Sequence, residues 1–252
     1  MTMKKLSVII ITRNESANIA DCINSVSFAD EIIVVDSNSD DDTPKIVHEL
    51  GARLIQTSNW PGFGPQKNYA LSFATAEWIL SIDADERVPH QLKEEIISLI
   101  NSPSLIETYY IPRLSSFLGH FIHHGGWYPD YVLRLFKKNS GSFSNSMVHE
   151  KYIPTAQETG RLQNHIIHYS YATDTDYLRK LEHYSTAGAL TAYENNKKSS
   201  LLITISHAAW AFIKSYIVRL GFLDGRGGLL VAISSAESTY HKYLKLMMLH
   251  EK

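Results

Sequence analysis

The chain has 252 residues, 44% of them apolar and 20% charged, with a net charge of −2. That is enough apolar material for one large domain, or for one domain with an appendage. The charge balance excludes a nucleic-acid binder of the basic kind, and a single cysteine, Cys22, excludes an internal disulfide.

The charge is unevenly spread. Residues 1–175 hold 14 Lys and Arg against 20 Asp and Glu, whereas residues 176–252 hold 10 against 6. Residues 1–6 (MTMKKL) run straight into a strand, without the apolar region of a signal peptide. Leu6–Thr12 is a continuous apolar run, which predicts a strand buried on both faces, as in a parallel sheet. Ile19, Cys22, Ile23 and Val26 recur at helical spacing and put Cys22 on a core face. Glu31–Asp36 predicts a second buried strand. Thr43-Pro44 predicts a helix start, with Thr43 as N-cap and proline at the first helical position. Residues 53–57 predict a third strand, 66–75 a helix, and Trp78–Asp83 a fourth strand. Pro89 opens another helix, with Leu92, Ile96, Ile97 and Ile100 on one face. The β-α-β alternation implies a parallel sheet with helices on both sides.

Beyond about residue 105 the rhythm changes. Strand-like pieces at 108–113, 131–137 and 166–171 predict an antiparallel addition to the sheet. From Asp176 the chain reads as helical, in segments near 176–195, 201–222 and 228–249. The expected fold class is therefore α/β, with a domain over 1–175 and a helical region over 176–252.

In a parallel α/β sheet, ligands sit outside the carboxyl ends of the strands. Three of the four strand ends carry polar clusters: Thr12-Arg13-Asn14-Glu15, Asp36-Ser37-Asn38-Ser39-Asp40 and Asp83-Ala84-Asp85-Glu86. Solvated turns are the alternative for any one cluster, but acids at three ends of one sheet are expected to converge. In an extended chain, positions i and i+2 point the same way, so Asp83 and Asp85 would project together and need a positive partner. A divalent cation carrying a diphosphate is such a partner.

The ordered set T-R-N-E (12–15), D-S-N-S-D-D-D-T (36–43), Q-K-N-Y-A-L (66–71) and S-I-D-A-D-E-R-V (81–88) resembles the inverting family 2 glycosyltransferases of GT-A fold. W-Y-P-D-Y-V-L-R-L-F-K-K (127–138), V-H-E (148–150) and I-I-H-Y-S (166–170) are similar to the branch that adds β-linked glucose to the heptose of the lipopolysaccharide inner core. The resemblance implies a UDP-sugar donor, with UDP-glucose first and another UDP-sugar as the alternative. It also implies Mg²⁺ or Mn²⁺, and a saccharide acceptor anchored to lipid.

On these positions the donor would be held by Thr12, Asn14, Glu15, Asp36, Lys67, Asp83, Ala84 and Asp85. Thr12, Asn14 and Glu15 occupy the first strand–helix turn, where helix N-terminal amides favour phosphate or base. Glu15 is equally a helix-start acid, and Lys67 a surface lysine. The metal would fall to Asp85 first, with Asp83 and His168 beside it. An acceptor hydroxyl needs a carboxylate base, for which Glu150 ranks first and Asp130 and Glu86 are rivals. The family often has an E-D pair where this chain has His149-Glu150. Glu86, Trp127, Asp130 and Arg134 would face the acceptor or donor sugar, with an aromatic core as the alternative for Trp127. Arg134, inside an apolar strand, needs an acid or a phosphate.

The longest charge-free run in the helical region, 199–213, has about 15 residues, short of the roughly 20 that a spanning helix needs. Arg219, Arg226, Lys242 and Lys245 accompany apolar faces, a pattern that fits a helix lying against anionic lipid. A helical hairpin packed on the domain or in a dimer is the alternative. With a lipid-anchored acceptor, this implies a cytoplasmic protein in peripheral contact with the inner membrane.

Three other classes remain. A haloacid-dehalogenase-type phosphohydrolase wants Thr or Val where Arg87 stands. A nucleotidyltransferase wants a glycine-rich loop where T-R-N-E-S-A stands. The third is a non-catalytic scaffold.

Overall fold

The computed structural model describes residues 5–145 and 150–251. Val148 and His149 of the V-H-E motif lie outside the described residues. In chain order the elements are β1 (Leu6–Thr12), α1 (Ile19–Ser25), β2 (Glu31–Asp36), α2 (Thr43–Glu49), β3 (Arg53–Gln56), α3 (Phe63–Ser72), β4 (Trp78–Asp83), β5 (Glu86–Arg87) and α4 (His90–Ile100). There follow β6 (Thr108–Phe117), β7 (His120–Phe121), β8 (Asp130–Lys137), β9 (Gly141–Phe143), β10 (Tyr152–Pro154), β11 (Gly160–Arg161) and β12 (Ile166–Tyr171). The chain ends in α5 (Asp174–Glu194), α6 (Leu201–Ile213) and α7 (Gly225–His250).

The main sheet runs β3-β2-β1-β4-β8-β6-β12-β5. Its first four strands are parallel, and β8 joins β4 antiparallel. This is the expected α/β arrangement: a mixed sheet with helices and a helical C-terminal extension. The apolar run of β1 is buried throughout, and the pleat divides it between two cores. Leu6, Val8 and Ile10 join one cluster with α1 and α4, while Ile9 and Ile11 join another with Phe136 and Phe143. Each such side chain contributes about 1.5–3 kcal/mol when fully buried.

Several boundaries differ from the sequence reading. Helix α2 starts at Thr43 itself, with Asp42 in the capping position. Helix α3 starts at Phe63 rather than 66, because its buried side is Gly64, Gln66, Lys67 and Ala70. A helix whose inward face is polar has no apolar period to mark its start. The pairs β5, β7, β9, β10 and β11 have two or three residues each, too short to show alternation.

The chain forms two compact units. The first comprises Met1–Arg113 and Asp130–His168; the second comprises Leu114–Pro129 and Tyr169–Lys252. The second unit thus takes in a segment that a division at residue 175 would assign to the first. The reason is local packing: Phe117 and Ile122 are buried with Val231 of α7, and Trp127, Tyr171 and Tyr177 pack around them. Cys22 is fully buried, as its helical spacing predicted, and burial pushes its thiol far up, out of the reactive range.

Candidate active site

Strand register brings the three polar clusters together. Thr12 pairs with Asp36 across β1 and β2, and Ile11 pairs with Asp83 across β1 and β4. Thr12, Asp36 and Asp83 therefore stand at adjacent carboxyl ends of parallel strands, where such sheets bind ligands.

The loops after β1 and β2 are stitched to one another. The amides of Asn14, Glu15 and Ser16 donate to Ser39 Oγ (2.8 Å), Thr43 Oγ1 (2.8 Å) and Asp41 Oδ2 (3.0 Å). In this turn the 39–43 loop uses the amides of residues 14–16. Asn14 takes a left-handed φ of 56°, a conformation asparagine tolerates, and its Oδ1 accepts from Asp40 N at 3.0 Å. Glu15 accepts from Asn18 Nδ2 at 2.8 Å. Burial works to raise the Asp41 carboxyl, but hydrogen bonds from Thr43 and Ser16 hold it well below the usual carboxylate range. Asp36 is buried and accepts from Ser39 N at 3.0 Å and from Ser39 Oγ at 2.5 Å. Thr12 Oγ1 is buried with no hydrogen-bond partner among the described residues.

Beyond β4 the polypeptide turns at Ala84-Asp85, and the pleat that would align Asp83 with Asp85 is lost. The two carboxylates take different partners. Asp83 meets Lys67 Nζ at 2.9 Å and pairs with Arg134. Burial works to raise its carboxyl, and the guanidinium of Arg134 and the ammonium of Lys67 outweigh this and hold it well below the usual range. Asp85 Oδ2 lies 3.3 Å from His168 Nε2. The antiparallel pairing of β12 with β5, with His168 opposite Glu86, places that imidazole. Ala84 is buried, and its carbonyl accepts from Arg87 Nη1 at 2.9 Å.

Lys67 is almost fully buried and also holds Glu150, with Nζ to Oε1 at 2.6 Å. Arg134 continues from Asp83 to Glu86 at 2.8 Å. Glu86, wholly buried, accepts from Asp83 N at 2.9 Å and lies 3.5 Å from Arg113. Arg113 then grips Asp130, its cross-strand neighbour on β8, at 2.6 and 3.0 Å. The result is one alternating relay, Glu150–Lys67–Asp83–Arg134–Glu86–Arg113–Asp130. A buried charge needs a partner, and each member supplies its neighbour's.

A family model described as glycosyl transferase family 2 matches residues 7–149. The chain belongs to glycosyl transferase family 2. An uncharacterized glycosyltransferase of Rickettsia prowazekii (strain Madrid E) is 32% identical to this transferase over 97% of this chain and 87% of its own. A lipopolysaccharide core biosynthesis glycosyltransferase of Rhizobium meliloti (strain 1021) is 27% identical over 94% and 93%. Among solved structures, glucosyl-3-phosphoglycerate synthase from Mycobacterium tuberculosis with Mn²⁺, UDP and glucosyl-3-phosphoglycerate is 26% identical. It covers 44% of each chain, with a TM-score of 0.38.

The structure of the transferase thus brings Asp83, Lys67, Glu150, Glu86, Arg134 and Asp130 into one relay, with Asp85 and His168 paired beside it. Trp127 lies in the second unit, edge-on to Phe117 at 5.6 Å and 5.9 Å from Tyr171, so its ring is part of an aromatic cluster. Three residues of the site escaped the sequence reading. Gln66 Nε2 donates to Ser37 Oγ at 3.0 Å, and Arg113 joins the relay. Asn68 binds the backbone of Phe143 twice, at 2.8 Å each way, and so pins β9 to α3. The signal was present in Q-K-N, where each side chain faces inward from the first turns of α3.

Gly64 lets the segment bearing Glu150 approach α3. A Cβ there would overlap the Ser144 carbonyl and touch Glu150 Cβ. Gly64→Ala is expected to destabilise the transferase by about 1–3 kcal/mol and to lower turnover with little change in circular dichroism. Unaltered melting and turnover would show that the segment relaxes freely.

The depressed Asp83 carboxyl carries a pH signature. Its contribution to stability is whole above the ordinary aspartate value near 3.9 and disappears as pH falls through its own lowered value. Urea midpoints of the wild type are therefore expected to fall more between about pH 5 and about pH 2 than those of Asp83→Asn. Parallel loss in both proteins would contradict the role given to Asp83.

Proposed function

We propose that this transferase is an inverting enzyme that moves a hexose, glucose foremost, from a UDP-sugar to a heptose hydroxyl of the lipopolysaccharide inner core. It would work in the cytoplasm, in peripheral contact with the inner membrane. The observation that carries this reading is the buried Lys67, bridging Asp83 at a strand end to Glu150. One cation thereby sets a prospective base beside the place where parallel sheets bind nucleotides.

The donor side is formed by Thr12, whose buried hydroxyl is unpaired among the described residues, together with Asp36 and Lys67. A UDP hydroxyl or carbonyl would satisfy the Thr12 hydroxyl. Asp85 and His168 are the residues for the metal. Their carboxylate–imidazole chemistry suits Mn²⁺, whereas Mg²⁺ would lean on the carboxylate. Among the described residues no group of three such side chains is arranged to hold an ion, so Asp85 and His168 would hold a metal only together with the bound donor. Such an ion, once bound, stabilises the charge on departing UDP.

In the transfer itself, the acceptor oxygen forms a bond to the anomeric carbon as the bond to UDP breaks on the opposite face. Glu150 takes the acceptor proton, and Lys67 keeps the carboxylate in place. Asp130, held by Arg113, is the candidate for an acceptor hydroxyl. The Rhizobium relative's assignment to lipopolysaccharide core biosynthesis supports the acceptor class.

UDP release from a panel of UDP-sugars, with Mg²⁺ or Mn²⁺, tests the reading with and without a heptose-terminated acceptor. Acceptor-dependent turnover with UDP-glucose is expected, along with loss of metal-dependent UDP binding in Asp85→Ala. Turnover with UDP-galactose or UDP-N-acetylglucosamine alone would reassign the donor. No turnover and no UDP binding would remove the reading.

A further inference from the structure

Helix α6 is built inside out. It continues through a π turn, Lys214–Val218, and the 18-residue stretch Leu201–Val218 is long and apolar enough to cross a membrane by length and composition, yet only 11% of it is buried. The buried members are polar: Thr204 and Ser215. His207 stacks on Tyr243 of α7 at 4.3 Å. The large apolar side chains point the other way. Leu202 is 78% exposed and Trp210 55%, and Ile205, Ile213, Ile217 and Leu223 are exposed with them. At 100° per residue, Leu202, Ala209 and Ile213 share the face opposite Thr204.

The facing helix completes the pattern. α7 buries Gly227, Gly228, Val231, Ala232, Ser234 and Leu246, and a Cβ on Gly228 would overlap the Gly221 carbonyl. With Gly221 seated against α7, the large apolar side chains of α6 stay outward, the arrangement of a helix that offers its apolar face to a lipid interface. In water the same surface is costly, at about 25 cal/mol for each Å² of exposed apolar area.

Charge names the occupant. Residues 195–223 contain no Asp or Glu but hold Lys197, Lys198, Lys214 and Arg219. A second copy of this face would oppose like charges, whereas anionic phospholipid would not. α7 carries Glu237, Lys242 and Lys245, which keeps the helix pair from passing through the bilayer together.

We propose that the outward face of Leu201–Val218, with Phe222 and Leu223, docks the transferase onto an anionic phospholipid surface, the helix lying in the headgroup–acyl boundary. This specifies the membrane contact of the reading above, and its test is separate from the chemistry.

The probe is the full chain with vesicles of phosphatidylcholine, with and without phosphatidylglycerol. Co-flotation with the anionic vesicles is expected. Trp210 emission should shift to the blue and be quenched by brominated acyl chains, and both signals should be absent in Trp210→Phe. Leu202→Glu with Ile213→Glu should abolish flotation. Lys197, Lys198 and Lys214 changed together to Gln should weaken it about a hundredfold, at roughly fivefold per charge. Turnover on a water-soluble heptose acceptor should persist in all these variants, so loss of that turnover in the wild type would count against the function and not the surface. Flotation unchanged by the Glu substitutions overturns the proposal, as does a wild-type dimer that the same substitutions dissociate, with no vesicle binding.

Discussion

Glu150→Gln is expected to lower acceptor-dependent turnover by about 10²–10⁴-fold, the range that a positioned base contributes, while UDP affinity stays at its wild-type value. Glutamine keeps the shape of the side chain and an oxygen for Lys67 Nζ, now 2.6 Å from the carboxylate, but it cannot accept a proton. The two rivals are distinguishable by their surroundings. Glu86 is wholly buried and held by Arg134, Arg113 and the Asp83 amide, so an acceptor hydroxyl has no route to it in this arrangement. Asp130 is partly exposed, its side chain at 44%, and Asp130→Asn is expected to raise the acceptor KM more than it lowers kcat. Steady-state UDP release and calorimetric titration of UDP check both variants. Turnover retained in Glu150→Gln and lost in Asp130→Asn would transfer the role of base to Asp130.

Arg134→Met should cost about 3–5 kcal/mol of stability, because it leaves buried acids without their cation. For a chain of this length that corresponds to a melting temperature lower by roughly 6–20 °C. Burial works to lower the pKa of the Arg134 guanidinium, but Asp83 and Glu86 outweigh burial and push it up, so the cation is fixed there at any working pH. Once it is gone, Glu86 keeps the Asp83 amide at 2.9 Å and, as its cation among the described residues, Arg113 at 3.5 Å. Adding Glu86→Gln to Arg134→Met removes the uncompensated carboxylate and is expected to restore a good part of the loss, a coupling readable in a double-mutant cycle. Urea unfolding of the four proteins measures it. A loss under about 1 kcal/mol, the size of an ordinary substitution, would mean that the relay contributes little to folding.

The relay also shows which features the sequence discloses. The sheet was legible because its strands are apolar runs whose neighbours in space are neighbours in sequence pattern: Leu6–Thr12, Glu31–Asp36 and Trp78–Asp83 each announce a buried strand, and parallel connection places their acidic ends side by side. Arg134 was legible as a cation needing an acid, though its acids were not identified. The partnering of Asp83 was not legible, since it depends on Lys67 from α3, 16 residues earlier, and on Arg134 from β8, 51 residues later. The turn at Ala84-Asp85 separated two carboxylates that an extended strand would have aligned. His168 reached Asp85 only through the register of β12 against a two-residue strand.

By itself the sequence determined the α/β class, the strand ends that carry polar side chains, the family resemblance and the basic, apolar character of the C-terminal helices. These follow from local periodicity and residue chemistry, which a linear chain displays. Tertiary structure decided which acid meets which cation, that the amides of residues 14–16 are used by the 39–43 loop, and that α6 buries Thr204 and turns its leucines outward. Those are outcomes of long-range register and packing, in which a side chain's role is set by a partner dozens of residues away, and no local pattern records that partner.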